Sequence, residues 1–143
     1  MDESAFRHAK GEVNRLPCVF ARALRDQVAV CEFSVRAGST ELPQCAQPLA
    51  RATCGEFDGL LRKQSLFVLG RTDQNNKMSV HELKRIHGGG LTGLRDLLDP
   101  QAPAPNVHQL LRNAISIYAE LSQLPFATII QRIAAWKMPG RRS

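Results

Sequence analysis

The amino-acid sequence predicts an all-α protein of about six helices packed into a compact bundle. Apolar residues recur every three or four positions along most of the chain, which is the period of one face of an α-helix. The strict apolar–polar alternation of a half-buried β-strand does not appear convincingly anywhere. The chain has 143 residues, of which 43% are hydrophobic, near the usual size for one core. We therefore expect residues 1–143 to form a single domain.

The first predicted helix runs from about Cys18 to Ala37. Pro17 precedes it at a position where a helix tolerates proline, and Gly38 with Ser39 supplies the stop. Helical spacing places five residues on its apolar face: Phe20, Leu24, Val28, Cys31 and Val35.

The next stretch, residues 39–53, contains two prolines and polar neighbours, so it is expected to be a loop or a short broken helix that holds Cys45. A second helix is predicted to begin at Thr53 or Cys54 and to end near Gly70. This prediction puts Cys54 at a helix N-terminus.

The second half begins after a polar linker at residues 71–77. Ser79 and Glu82 have the spacing of a capping box and predict a short helix that ends at the triple glycine 88–90, followed by another short helix. Asn106 is expected to cap a longer helix, and Pro125 to open the last one. We therefore expect two sub-modules, a four-cysteine metal-binding half at 1–70 and a helical packing or docking half at 78–143.

The charge is unevenly distributed along the chain. The formal net charge is +6, with nine bases against eight acids in residues 1–70 and ten against five in residues 71–143. Such a basic excess is compatible with an acidic partner, including nucleic acid, although aromatic residues are too few for a single-strand stacking platform. The sequence lacks a secretory signal and an apolar run of about 18 residues, so it predicts a cytoplasmic protein without membrane insertion.

The strongest chemical signal is the set of four cysteines, Cys18, Cys31, Cys45 and Cys54. They are separated by 12, 13 and 8 residues, and the remaining 89 residues contain no cysteine. Cytoplasmic thiols are normally reduced, which favours metal binding or reactivity over disulfides. The clustering predicts one shared site.

The spacing of the cysteines favours a [4Fe–4S] cluster as the cofactor. Structural zinc sites usually contain cysteine pairs two to four residues apart, and no such pair occurs here. Four thiolates around a cluster leave a net negative charge that nearby bases could offset. Zinc, thiol redox chemistry or a disulfide, and simple burial of the thiols remain alternatives. The bases near the cysteines in sequence are Arg15, Arg22, Arg25, Arg36 and Arg51.

A site shared by all four cysteines requires an interruption of the first predicted helix. Cys18 and Cys31 are 13 residues apart in sequence, and an unbroken helix would separate them by about 20 Å. The predicted first helix must therefore break around residues 25–27, or start after Cys18, if the two thiols are to meet.

Four segments of the sequence resemble those of short bacterial proteins that share the same four cysteines. The segments are LPCVFARAL, VAVCEF, QCAQPLARATCGEFDGLLRKQSLFVL and GGGLTGLRDLLDP. The resemblance covers most of the chain and implies no particular activity.

Two other motifs are better explained by structure. Gly88, Gly90 and Gly93 match G-x-G-x-x-G, but they follow a predicted helix rather than a strand, so a helix-to-helix turn is favoured over a nucleotide site. None of the histidines has a metal-ligand spacing to another histidine or a carboxylate, so surface or capping roles are expected, although His81 or His87 could replace one cysteine in a mixed site. The four histidines are His8, His81, His87 and His108.

The sequence thus predicts a small iron–sulfur protein that is not an enzyme. Its cluster would transfer electrons, sense redox state or stabilise the fold, in contact with a protein redox or regulatory partner. The alternative is a zinc-stabilised or metal-free basic adaptor that binds nucleic acid or another protein.

Overall fold

The computed structural model describes residues 16–35, 42–71 and 77–137. Within these ranges the fold is mostly helical, with five α-helices, one 3₁₀ turn and a small three-stranded sheet. The helical class was predicted, whereas the sheet was not, and the described helices number five rather than six. In chain order the elements are β1 Leu16–Pro17, α1 Ala21–Arg25, β2 Ser34–Val35, β3 Gln44–Cys45, α2 Pro48–Gln64, α3 Val80–Leu98, α4 Val107–Tyr118, the 3₁₀ turn Leu121–Gln123 and α5 Phe126–Ala135.

The prediction of one long first helix is wrong. Helix α1 has only five residues. Gln27 follows it with a φ of 62°, a left-handed conformation that a right-handed helix cannot contain. The chain therefore reverses after α1, and the apolar residues that continue the helical period belong to a loop and to β2. The predicted stop at Gly38 and Ser39 lies outside the described residues.

Strand β3 is the centre of the small antiparallel sheet and pairs with both β1 and β2. Cys45 lies opposite Leu16 on one side and Ser34 on the other. The backbone N–H of Ala46 donates to the carbonyl of Phe33 at 3.0 Å and extends the pairing with β2. Each strand has two residues, too few to show an alternating pattern in the sequence.

Helix α2 starts earlier than predicted. Pro48 occupies its first turn, where a missing N–H costs nothing, and the Gln47 side chain accepts a hydrogen bond from the backbone of Leu49 at 3.4 Å. Cys54 therefore lies inside the helix, on the buried face, rather than at its N-terminus. The helix ends at Gln64, and turns lead to Gly70, whose φ is 70°. The predicted linker at 71–77 falls mostly outside the described residues.

The capping box that opens α3 is confirmed. The Ser79 hydroxyl accepts from the backbone N–H of Glu82 at 3.1 Å, and the Glu82 carboxylate accepts from the backbone N–H of Ser79 at 2.9 Å. The predicted stop at the triple glycine is wrong, because α3 continues through it as a single helix of 19 residues.

The glycines of α3 let it lie unusually close to α5. A Cβ at Gly89 would lie 2.6 Å from the Cα of Ile133, and one at Gly88 would overlap the indole ring of Trp136. Glycine costs about 1 kcal/mol relative to alanine in a helix interior, and the close packing of the two helices offsets that cost. The G-x-G-x-x-G match thus lies inside a helix and serves packing.

The last two helices begin where the sequence predicts. The Asn106 side chain accepts from the backbone N–H of Gln109 at 3.2 Å and caps α4, and Pro125 directly precedes α5. Helix α4 ends before Ala119, at which φ is 72°. None of the described helices is both long and apolar enough to cross a bilayer.

One buried cluster of apolar side chains joins the cysteine-bearing part to the helices. Its members come from α1 and the loop after it as well as from α2, α3, α4 and α5. A backbone link runs beside it, since the N–H of Val30 donates to Pro105 at 2.8 Å and the N–H of Val107 donates to Val30 at 2.9 Å. The largest fully buried side chains in the cluster include Phe20, Phe57, Leu61, Ile86, Leu91, Leu94, Leu111, Ile129 and Ile133.

Candidate metal centre

The four cysteines lie on four separate pieces of backbone. Cys18 follows β1, Cys31 precedes β2, Cys45 is part of β3 and Cys54 is on α2. Cys45 was expected on irregular backbone and instead lies in the central strand. Cys45 and Cys54 are buried, whereas Cys18 and Cys31 are half-buried.

The break that a shared cysteine site requires is present. Helix α1 begins after Cys18 and ends before Cys31, and the reversal at Gln27 falls in the predicted window. The backbone N–H of Cys18 donates to the carbonyl of Pro43 at 3.1 Å. Because β3 pairs with the strands next to both cysteines, it draws their segments to Cys45.

The thiols are close enough to influence one another electrostatically. Burial, followed by the charges of Cys18, Cys31 and Cys45, raises the pKa of Cys54 to about 12. Burial also raises the pKa of Cys18 to about 11, with further contributions from Cys31 and Cys45. The shared site on these four residues stays a prediction.

Backbone amides oppose the effect of burial at two of the thiols. Burial raises the pKa of Cys31, while hydrogen bonds from the backbone of Phe33 and His108 lower it. A hydrogen bond from the backbone of Phe20 lowers the pKa of Cys18 in the same way. Hydrogen bonds to sulfur stabilise the thiolate and tune the potential of a metal centre bound to it.

Arg51 is the base that acts most directly on the site. Its Nε donates to the carbonyl of Pro17 at 2.7 Å, which holds the guanidinium beside the cysteine-bearing loop. Its charge lowers the pKa of both Cys18 and Cys54, although burial outweighs it. Of the other bases expected here, Arg15 and Arg36 lie outside the described residues, and Arg25 is 3.6 Å from Asp26.

The described cysteines do not form a set of metal ligands. Among residues 16–35, 42–71 and 77–137, no group of three or more histidine, cysteine or acidic side chains could hold a metal ion as it stands. This includes the mixed site considered with His81 or His87. All four cysteines are free. The donor set of four sulfurs suits a thiophilic metal or cluster, and binding one requires the sulfurs to move and lose their protons.

The sequence reasoning missed a buried pair next to this site. The Nε2 of His87 lies 2.6 Å from the Oδ1 of Asp58, whose Oδ2 accepts from the Nε of Arg62 at 3.0 Å. Asp58 comes 29 residues before His87, so no short-range spacing reveals the pair. The available signal was an acid four residues after Cys54, on the buried face of a predicted helix.

Comparison of the chain with protein-family models, curated proteins and solved structures finds no match.

Proposed function

We propose that this protein is a small iron–sulfur protein that holds a [4Fe–4S] cluster on Cys18, Cys31, Cys45 and Cys54. The cluster would serve one-electron transfer, redox sensing or the stability of the fold. One observation carries the proposal: β3, which contains Cys45, pairs with the strand that precedes Cys18 and with the strand that follows Cys31, so three of the four cysteine-bearing segments meet at one small sheet. Four cysteine thiols from separate segments of the chain are the donor set that such a cluster uses.

A cluster suits the backbone better than one zinc ion. A tetrahedral zinc site places its sulfurs about 3.8 Å apart, as follows from zinc–sulfur bonds of about 2.3 Å. A four-iron cube binds each thiolate at a different corner and so accepts sulfurs that are further apart. Ligands on a strand, a helix and two loops, without any close cysteine pair, favour the larger group.

The raised pKa values argue against a metal-free thiol redox protein. Reactive cysteines have a lowered pKa, because the thiolate is the nucleophile. Burial instead raises the pKa of Cys18 to about 11 and that of Cys54 to about 12. These thiols stay protonated at neutral pH until a metal displaces the protons.

The test is anaerobic purification followed by iron, sulfide and zinc analysis. We expect a brown protein that absorbs near about 400 nm, with about four irons and four sulfides per chain. Each of the variants Cys18→Ser, Cys31→Ser, Cys45→Ser and Cys54→Ser should lose most of this absorbance. Ser34→Ala is the matched control, because Ser34 pairs with Cys45 in the sheet yet carries no sulfur, and it should keep its iron.

Other results would assign other functions. Colourless protein with about one zinc per chain would contradict the cluster and favour the zinc-stabilised adaptor. Metal-free protein that binds a nucleic-acid duplex, with an affinity that falls as salt is added, would favour the basic adaptor instead.

A further inference from the structure

The side of α2 that faces away from the core carries small and charged residues. The buried side chains of this helix, Cys54, Phe57 and Leu61 among them, lie on the opposite side by helical spacing. The residues of the outer side are exposed, so no described element covers them. We call this surface the outer face of α2, and it comprises Ala52, Gly55, Glu56, Gly59 and Lys63.

The two most exposed large apolar side chains of the described residues lie at the two ends of this face. Leu49, in the first turn of α2, is 80% exposed, and Phe67, in the turn after the helix, is 94% exposed. They are 18 residues apart in sequence, which is about 27 Å along a helix, so they cannot cover each other within one chain. Apolar side chains left in water at both ends of an uncovered helix face favour a partner that spans the whole face.

The glycines of the outer face have no packing role within the described chain. A Cβ at Gly55 or Gly59 would meet nothing within 4 Å, whereas a Cβ at Gly89 of α3 would clash with α5. Glycine is less favourable than alanine in a helix interior, so folding of the single chain does not explain these two glycines. They lie four residues apart on the same side of the helix, and without Cβ atoms they let the backbone of a second helix approach closely.

The charges on the outer face are complementary to themselves in one arrangement. Glu56 and Lys63 lie seven residues apart, which is close to two helical turns, on one side of the helix. Neither makes an ion pair with another described residue. When two copies of α2 pack antiparallel, with the two-fold axis near Gly59, Glu56 of each copy lies opposite Lys63 of the other. Parallel packing would instead place Glu56 opposite Glu56, with like charges in contact.

The same antiparallel arrangement covers the exposed apolar side chains. With the two-fold axis near Gly59, Phe67 of one copy lies beside the first turns of α2 in the other copy, where Leu49 and Ala52 are. The contact occurs twice, because both copies use the same surface. Small residues in the middle, opposite charges beside them and apolar side chains at both ends are thus matched in one geometry.

We propose that the outer face of α2 is a self-association surface, on which a second copy of this chain packs antiparallel across a two-fold axis near Gly59. The proposal goes beyond the iron–sulfur function and does not depend on it, because the buried Cys54 lies on the other side of α2. A face one helix wide is small beside the roughly 1,200–2,000 Å² buried in stable interfaces. We therefore expect a reversible dimer with a dissociation constant of about 10–100 µM.

The experiment is sedimentation equilibrium of the full chain between about 1 µM and about 1 mM, in low salt and with a reductant that prevents disulfide cross-links. The molar mass of the wild type should rise from 15.8 kDa toward twice that value. Phe67→Ser removes the apolar contact and Gly59→Leu holds the helices apart, so each should weaken association by about a hundredfold. Both positions are exposed, so the fold should persist. Ile117→Ser, at a residue of α4 that is 63% exposed, is the matched control and should associate as the wild type.

Charge reversal tests the antiparallel geometry. Glu56→Lys or Lys63→Glu alone places like charges opposite each other at two points of the dimer and should weaken association by about tenfold. The double variant restores opposite charges and should associate as tightly as the wild type, whereas a double variant no tighter than the single ones would overturn the antiparallel pairing. A wild type that stays monomeric at about 1 mM, or a dimer that Phe67→Ser and Gly59→Leu leave unchanged, would overturn the self-association surface. Neither result bears on the iron–sulfur proposal.

Discussion

The cysteine-bearing segment and the helical part of this protein are built differently. The segment, comprising the described residues 16–35 and 42–47, contains one five-residue helix and three strands of two residues. The helical part, residues 48–71 and 77–137, contains helices of 17, 19, 12 and 10 residues. Three of the four cysteines lie in the segment, and the helical part contributes Cys54.

Different interactions hold the two parts of the protein in place. In the helical part, caps fix helix ends and glycines let helices interlock, so its structure follows from packing. Strands as short as those of the segment are marginal by themselves, and the segment is positioned by a few backbone hydrogen bonds and by side chains such as Phe20 and Val28 in the shared core. Coordination by four thiolates contributes on the order of 10 kcal/mol in small metal domains. Under the proposed function a bound cluster would complete the segment, whereas the helical part is ordered by its own packing.

The largest expected change in the free energy of unfolding comes from a substitution in the helical part. Gly89→Ala would place a Cβ 2.6 Å from the backbone of Ile133, and the helices would have to separate. We expect the free energy of unfolding to fall by about 3 kcal/mol, measured by urea denaturation. The control is Gly55→Ala in α2, where a Cβ meets nothing within 4 Å and should stabilise the protein by about 0.5–1 kcal/mol. Equal effects at the two positions would show that close packing is not what the α3 glycines provide.

The second prediction concerns the stability that the cysteine site contributes at alkaline pH. Burial raises the pKa of Cys54 from 9.0 to about 12, so the folded state disfavours the thiolate. The stability due to the buried thiol is complete below the unfolded pKa and is lost as pH rises toward the folded one. We expect Cys54 alone to account for a loss of about 1–2 kcal/mol in the metal-free protein between about pH 8 and pH 10. Cys54→Ala should lose less over the same interval, and an identical loss would contradict the buried, protonated state of this thiol.

The smallest expected change in stability tests whether the helical part can be destabilised without an effect on the cysteine site. Asn106→Ala removes the cap of α4 and should cost about 1 kcal/mol of unfolding free energy, by thermal or urea denaturation. Asn106 lies at the bridge to Val30, next to Cys31. We expect the iron content to be unchanged, because the cap bonds only Gln109 of its own helix. A lower iron content would show that the bridge carries strain from α4 into the cysteine site.

Local signals in the sequence predicted the local features of the fold. Ser79 with Glu82, Asn106 and Pro125 mark helix starts within a few residues, and each marks one in the structure. Predictions failed where a distant contact decides the outcome. Ile133 lies more than forty residues after Gly89, yet its proximity explains why the glycine run is helical rather than a stop.

The sequence predicted a break in the first helix near residues 25–27, and the structure has one there. That Cys18, Cys31, Cys45 and Cys54 share one site stays a prediction. The left-handed Gln27 and the two-residue strands have no clear mark in the sequence, so the backbone that carries Cys18, Cys31 and Cys45 could not be predicted. The Asp58–His87 pair depends on how α2 and α3 pack, which no spacing within one helix records.

The glycine-rich middle of α3 has a consequence for the order of folding. Residues 88–90 have almost no helical tendency of their own, so α3 becomes a complete helix only when α5 is present to pack against it. Helix α5 follows α3 in the chain, so α3 can be completed only after α5 has formed its contacts. We therefore expect a chain truncated before Pro125 to lack a continuous α3.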